Sequence, residues 1–501
     1  MTKICTACFL FIGSLFFSVT LRAQELYQQR ELPTNDLNSG IHLNYSVGDT
    51  NFLPDLLKGK FLDNPLKNMF RFRDSSDEDL WSFQDSTDDS LLLDLKVGDY
   101  AGKRRHHRHS FLITEPAYDR EIPHLESLPF MDFNRVNGYY LGIATPGMAD
   151  FGPHQEFGIK GGIGYGFEEK KGQSQLGGEF RIPIGKNDTS IAVERWRLVP
   201  TIALGAEYHN VTTTEDAWRT QRGENAAYAF LVREDFRDYF KIEGWNAYVA
   251  FRPEHKSELR VEYRSDIYYN QPQRVFHGRF GGGKDLPSNP TITQGRMNEW
   301  VVTAGHEDAK YETVSQANFW GDTVSYRRMN GWVTLLQTEF GTNVGADSSY
   351  QRYIFDLRNF NPICPGLSFD TRFRMESSTG DAPFQKLEFI GGPSSLPALK
   401  NRIIGGNRLV LLNTELRFSL AALSTFFKDS PELIILNDFG FCKRVRQDNN
   451  LLQGFGDITF STIAYNIGIG IGHPEGVQIG VSFRTDIKEA GRFFFRFQRP
   501  F

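Results

Sequence analysis

From about Phe133 to the end of the chain, apolar and polar residues alternate in short runs. FGIKGGIGYGFE (157–168), QLGGEFRI from Gln175, TIALGAEY from Thr201, GWNAYVAF from Gly244 and ELRVEYRSDIYY from Glu258 are examples. EWVVTAGHE from Glu299, GWVTLLQTEF from Gly331, RYIFDLR from Arg352 and LSFDTRFRM from Leu367 continue the series. A period of two sends successive side chains to opposite faces, so the pattern predicts strands rather than helices. The runs are roughly 8 to 12 residues long, the length a tilted strand needs to cross a bilayer. Between Val410 and Phe418 the division is plain. Val410, Leu412, Thr414, Leu416 and Phe418 share one face, and Asn413, Glu415 and Arg417 share the other. In the closing run GRFFFRFQRPF, Phe493, Phe495, Phe497 and Phe501 share a face opposite Arg492, Arg496 and Gln498.

A soluble sandwich also alternates, but it rarely leaves four Phe on one face of a terminal strand. Lipid accepts such a face without cost. Hydrocarbon also demands a partner for every backbone N–H and C=O, so strands cross it only as a closed cylinder. The expectation is therefore an all-β protein. Residues 131–501 are expected to form a transmembrane antiparallel β-barrel, preceded by an irregular periplasmic extension over 24–130.

Composition refines this picture. The chain has 501 residues, 14% of them aromatic and 23% charged. Its mean hydropathy of −0.41 excludes a polytopic helical membrane protein and leaves a barrel open. One long apolar run, Ile4 to Thr20, follows Lys3 and precedes Ala23-Gln24, the pattern of a cleaved secretory signal over residues 1–23. Its removal takes Lys3 and Arg22 away, so the net charge goes from −5 to −7. A mildly acidic chain without a basic face excludes nucleic acid as a partner. Cys364 and Cys442 remain, too few for a disulfide framework, with pairing left open. The extension carries the acidic run Asp74 to Asp89 and the basic run Lys103 to His109, and it alternates poorly, as a partly disordered segment does.

Four stretches resemble the BamA/TamA surface-antigen superfamily of outer-membrane barrels, and the resemblance implies sixteen strands. FNRVNGYYLGI (133–143) looks like its barrel opening, and IGGPSSLPALKNRIIGGNRLVLLNTELRF (390–418) like its loop six and following strand. LIILNDFGF (433–441) resembles the next strand, and YNIGIGIG with VQIGVSFRTDI and the last run resembles the final hairpins. The resemblance implies a loop-six and lumen network of Gly391, Gly392, Leu396, Lys400, Arg402, Asn407, Glu415, Arg417, Asp438 and Gly440. It also implies that the terminal aromatics Phe493, Phe495, Phe497 and Phe501 form a barrel-assembly signal. The family's loop six carries an Arg that pairs with two acids of the wall, but Pro397 stands in its place here. Glu415 and Asp438 match those acids. A confined carboxylate needs a cation or hydrogen-bond donors. Lys400 or Arg402 is expected to supply the charge, with Arg417 as a local partner of Glu415. The alternative is a wet lumen that solvates both acids. Family members that insert or export proteins carry repeated periplasmic domains, for which residues 24–130 leave room for one at most.

Motifs for other chemistry are incomplete. Gly278 to Lys284 resembles a phosphate loop, but Asp285 replaces the metal-binding hydroxyl residue. His106, His107 and His109 read as a solvated basic run before a metal site. A Gly-x-Ser-x-Gly elbow is missing, and His306-Glu307 lacks the second His of a zinc-protease helix. The expectation is a non-enzyme without cofactor or metal, located in the outer membrane. Its partners are outer-membrane lipid and periplasmic or envelope proteins. Three functions fit such a barrel: assistance in outer-membrane protein assembly or translocation, a diffusion pore for small solutes, and a structural or partner-docking barrel. Their order follows the fold resemblance.

Overall fold

A computed structural model of the chain describes residues 130–144, 149–150, 157–184, 200–254, 256–280, 283–317, 321, 323–342, 349–364, 366–402, 404–422, 431–446, 450–474, 476–485 and 491–497. The signal segment 1–23, the extension up to residue 129 with its acidic and histidine runs, and Phe501 lie outside the described residues. All the described residues belong to one compact unit, within 86–501.

The predicted alternation becomes one antiparallel sheet of eighteen strands. It begins with β1 (Phe130–Asn134), β2 (Gly138–Ala144), β3 (Ala149–Asp150), β4 (Phe157–Gly166), β5 (Lys171–Pro183) and β6 (Thr201–Thr213). After a short helix, α1 (Arg222–Leu231), come β7 (Phe240–Glu254), β8 (Ser257–Asn270), β9 (Gly295–Glu307), β10 (Lys310–Ala317) and β11 (Thr323–Thr342). Next are β12 (Ser349–Cys364) and β13 (Leu367–Gly380). A separate two-stranded ribbon, β14 (Glu388–Ile390) with β15 (Ile404–Gly406), interrupts the series. The sheet resumes with β16 (Arg408–Ser419), β17 (Glu432–Lys443), β18 (Ala464–Gly472), β19 (Val477–Arg484) and β20 (Arg492–Phe497). Both β2 and β3 pair with β4, and both β9 and β10 pair with β11. Counting each couple as one interrupted strand leaves a meander of sixteen.

The opening hairpin shows local chemistry at work. Asn134 Oδ1 accepts the N–H groups of Val136 and Asn137 at 3.0 and 2.8 Å, which folds the turn between β1 and β2. Gly138 leaves that turn at φ +64, where a Cβ would also strike Glu168.

Strand direction places the long connections 214–239, 271–294, 381–407 and 444–463 at one end of the sheet. The short turns 255–256, 365–366 and 473–476 lie at the other.

The sheet curls. Tyr311 Oη on β10 bonds Pro474 O in the β18–β19 turn at 2.9 Å. In a flat sheet, six strand steps would separate them by roughly 29 Å. Arg496 on β20 likewise reaches Glu415 on β16 at 2.6 Å. Leu336, Phe340 and Trp332 of β11 are exposed on the convex face, while Val333, Leu335, Gln337 and Glu339 are buried on the concave one. Trp245, Tyr263 and Trp300 of β7, β8 and β9 form a row of touching rings at 5.6 and 5.0 Å. A greasy outer wall around a charged interior is the arrangement a lipid solvent selects.

Candidate functional site: the filled interior and its seam

Two of the long connections fold back into the interior and interlock. Segment 214–239 carries α1, and segment 381–407 contains the loop-six-like residues. Arg219 bonds Asn401 Oδ1 at 3.1 Å, Asn401 Nδ2 bonds Asp235 O at 3.0 Å, and Arg402 pairs with Asp238 at 2.8 Å. Ser394 N–H bonds Arg219 O at 3.1 Å. Trp218 joins Leu396 and Leu399 in an apolar cluster with Leu409, Leu411 and Cys442 of the wall. The tip of loop six is thus apolar, and it sits on wall positions that alternation would otherwise make polar.

The wall grips both segments through charge. Lys386, fully buried, lies 2.9 Å from Glu215, 3.3 Å from Glu299 and 3.2 Å from Glu339. Arg352 pairs with Glu215, Glu339, Glu376 and Glu388. Arg372, held to Asp356 at 2.5 Å, donates to Trp218 O at 3.2 Å and Ser394 O at 3.3 Å. Arg374 also binds Asp356 and lies 4.3 Å over the Trp218 ring. A guanidinium fork suits this work, because it meets a carboxylate and a carbonyl at once. Charge thus couples segment 381–407 to the wall in both directions: Lys386 reaches out to wall acids, while Arg352 and Arg372 reach in from the wall.

The sequence-derived network divides accordingly. Glu415 pairs with Arg417 on its own face and with Arg496. Arg417 also reaches Asp370 and Glu432, each at 3.0 Å. Asp438 is held by two amides, Asn413 Nδ2 and Asn466 Nδ2, both at 2.8 Å. The expected approach of Lys400 or Arg402 to these acids is corrected: Arg402 is engaged by Asp238, and Lys400 is exposed. The physical reason is reach, since Pro397 and the apolar tip occupy the wall beside them. The wet-lumen alternative does not describe these acids either, because Glu415 and Asp438 are both buried. Gly391 and Gly392 take φ of +119 and +112 at the turn into the tip, where Cβ atoms would meet Lys400 O and Phe236. Asn407 bridges β13 and the 444–463 connection through Ser378 O and Val445. Gly440 lies under the tip, where a Cβ would stand 2.6 Å from Leu396 Cδ1.

The terminal aromatics also differ from expectation. Phe493 is 60% exposed, as a lipid-facing residue should be. Phe495, however, stacks on Tyr228 of α1 with ring centroids 3.8 Å apart, and Phe497 joins the same cluster with Ala227. The reason lies at the edge of the sheet. Among the described residues no ladder joins β20 to β1 or β2. Instead α1 stands between them. It packs on β1 through Phe133 and Phe230, bonds Asp132 through Arg222 at 3.1 Å, and lies against β20. Tyr228 Oη accepts Phe495 N–H at 2.7 Å and donates to Phe495 O at 2.8 Å, while Glu224 Oε2 accepts Phe497 N–H at 3.2 Å.

Among the described residues no group of three or more His, Cys, Asp or Glu is placed to hold a metal ion. Cys364 is exposed and Cys442 buried, and both are free.

No family model matches the sequence, and no curated protein is a significant match. Among solved structures, BamA from Haemophilus ducreyi lacking POTRA domains 1-3 aligns with 73% of this chain over 68% of its own. The identity is 11% and the TM-score 0.42. CdiB from Acinetobacter baumannii aligns with 73% of this chain over 57% of its own, at 7% identity and TM-score 0.36. CdiB from Escherichia coli aligns with 73% over 61%, at 11% identity and TM-score 0.34. The chain thus spans less than two thirds of either CdiB. At these identities and scores the likeness says nothing of activity.

Proposed function

We propose that residues 131–501 close into an outer-membrane barrel that assists protein assembly or translocation and is shut at rest by its own loops. In this reading residues 1–23 direct export, and 24–130 lie in the periplasm, where envelope proteins reach them. The observation that carries it is α1 standing where a strand would complete the wall. A diffusion pore gains nothing from an unladdered seam, and the interlocked segments 214–239 and 381–407 occupy the passage it would need. The motif resemblance of residues 390–418 supports the same reading, with seam and loop six as working parts.

Depletion of the protein followed by quantitation of the outer-membrane proteome tests it. Falling levels of other barrel or surface proteins are expected, whereas an unchanged profile would sink the assembly role. A steady ion-selective current from the purified protein in a planar bilayer would favour the pore instead.

A further inference from the structure

The geometry points to α1 as a releasable strand surrogate: Tyr228 and Glu224 occupy the hydrogen-bonding edge of β20, so the seam opens by withdrawal of a helix rather than by unzipping of a ladder.

In an antiparallel pair, a hydrogen-bonded residue gives its N–H and its C=O to the same partner. Tyr228 does both with one hydroxyl, accepting from Phe495 N and donating to Phe495 O. Both groups of a strand residue point the same way, so Phe493, Phe495 and Phe497 present theirs to the open edge. Phe494 and Arg496 turn theirs to β19. The spacing also matches. Glu224 and Tyr228 are four residues apart, about 6 Å along a helix. Phe497 and Phe495 are two residues apart, roughly 6.7 Å along a strand. Helix and strand run in opposite directions, Glu224 on Phe497 and Tyr228 on Phe495, so one helical face reads every second edge position. The Tyr228 and Phe495 rings stack beside these bonds, and both residues are buried.

Release is built into the numbers. Three side-chain hydrogen bonds hold this edge, whereas the β18–β19 ladder pairs seven residues with seven. Arg492 to Glu234 at 2.6 Å and Arg222 to Asp132 at 3.1 Å tether the two ends of the helix segment to the two sheet edges. The first is partly exposed on both sides and therefore weak. The inference deepens the proposed function and rests on its barrel, but not on any client.

Site-resolved hydrogen exchange of the full chain in phospholipid nanodiscs tests it. Tyr228→Phe should speed exchange of the Phe495 amide at least tenfold, and Glu224→Ala should do the same for Phe497. Phe494 and Arg496 should keep their rates. Equal acceleration at all four amides, or none at Phe495, overturns the proposal. A second arm keeps Tyr228 intact. Ala227→Cys and Phe497→Cys, with Cys5, Cys8, Cys364 and Cys442 replaced by Ser, are joined by a short thiol cross-linker. Tethering should slow Phe495 exchange at least tenfold relative to the unlinked protein. An unchanged rate, or failure of the pair to link in folded protein, would show that the helix does not govern the edge. Neither arm uses a client, so the proposed function and the latch can fail separately.

Discussion

Lys386 places its ammonium 2.9 Å from Glu215, so a single buried contact joins the entry of segment 381–407 to the start of segment 214–239. Glu299 and Glu339 of the wall share the same cation. Removing it leaves carboxylates buried without that charge, a change that typically costs about 3–5 kcal/mol. Lys386→Ala is expected to lower the temperature at which the folded band disappears on unboiled gels and to open the interior to proteases added from the loop end. Lys386→Arg should retain most of the fold. Equal stability of Lys386→Ala and the native chain would remove this contact as the tie between the segments.

Arg372 separates wall from loop. Without it Asp356 keeps Arg374 and Arg358, so the wall remains compensated. The loss falls on Trp218 O and Ser394 O, at about 1–3 kcal/mol for buried acceptors left unsatisfied. Arg372→Ala should therefore give faster cleavage within 392–399, with little change in the overall unfolding midpoint.

Gly440 tests the seat of the loop tip. An Ala Cβ would stand 2.6 Å from Leu396 Cδ1 and 3.1 Å from Ile390 Cδ1, flexible side-chain ends that can give, whereas Val adds two further methyls to the same crowded spot. Gly440→Val should unseat the tip and produce intermittent current in planar bilayers, whereas Gly440→Ala should stay silent. Silence from both would show that the tip does not seal the interior.

Much of the wall was legible because period two survives along strands such as β11 and β16. The run starting at Thr201 opens β6, the run at Leu367 opens β13, and the two faces read between Val410 and Phe418 are the two faces of β16. The interior was legible only where partners are close in sequence. Arg417 beside Glu415 is such a case. Lys386 with Glu215, and Tyr228 with Phe495, join residues far apart along the chain, and no local pattern carries that information. Helix α1 escaped notice because Arg222–Leu231 is short and mixes apolar with polar residues on a face that packs against a strand edge. The apolar positions Leu409 and Leu411 were the available clue to the loop tip, since lumen-facing Leu on an otherwise polar face calls for an apolar partner.

Trp332 and Phe340 lie eight positions apart on the outer face of β11. That is roughly 27 Å along a strand, or about 21 Å along the bilayer normal at a tilt near 40°. In the proposed barrel such a belt would suit a thin slab of hydrocarbon. Long-chain lipids would have to pucker around it, most of all beside the seam, where among the described residues no ladder joins β20 to β1 or β2.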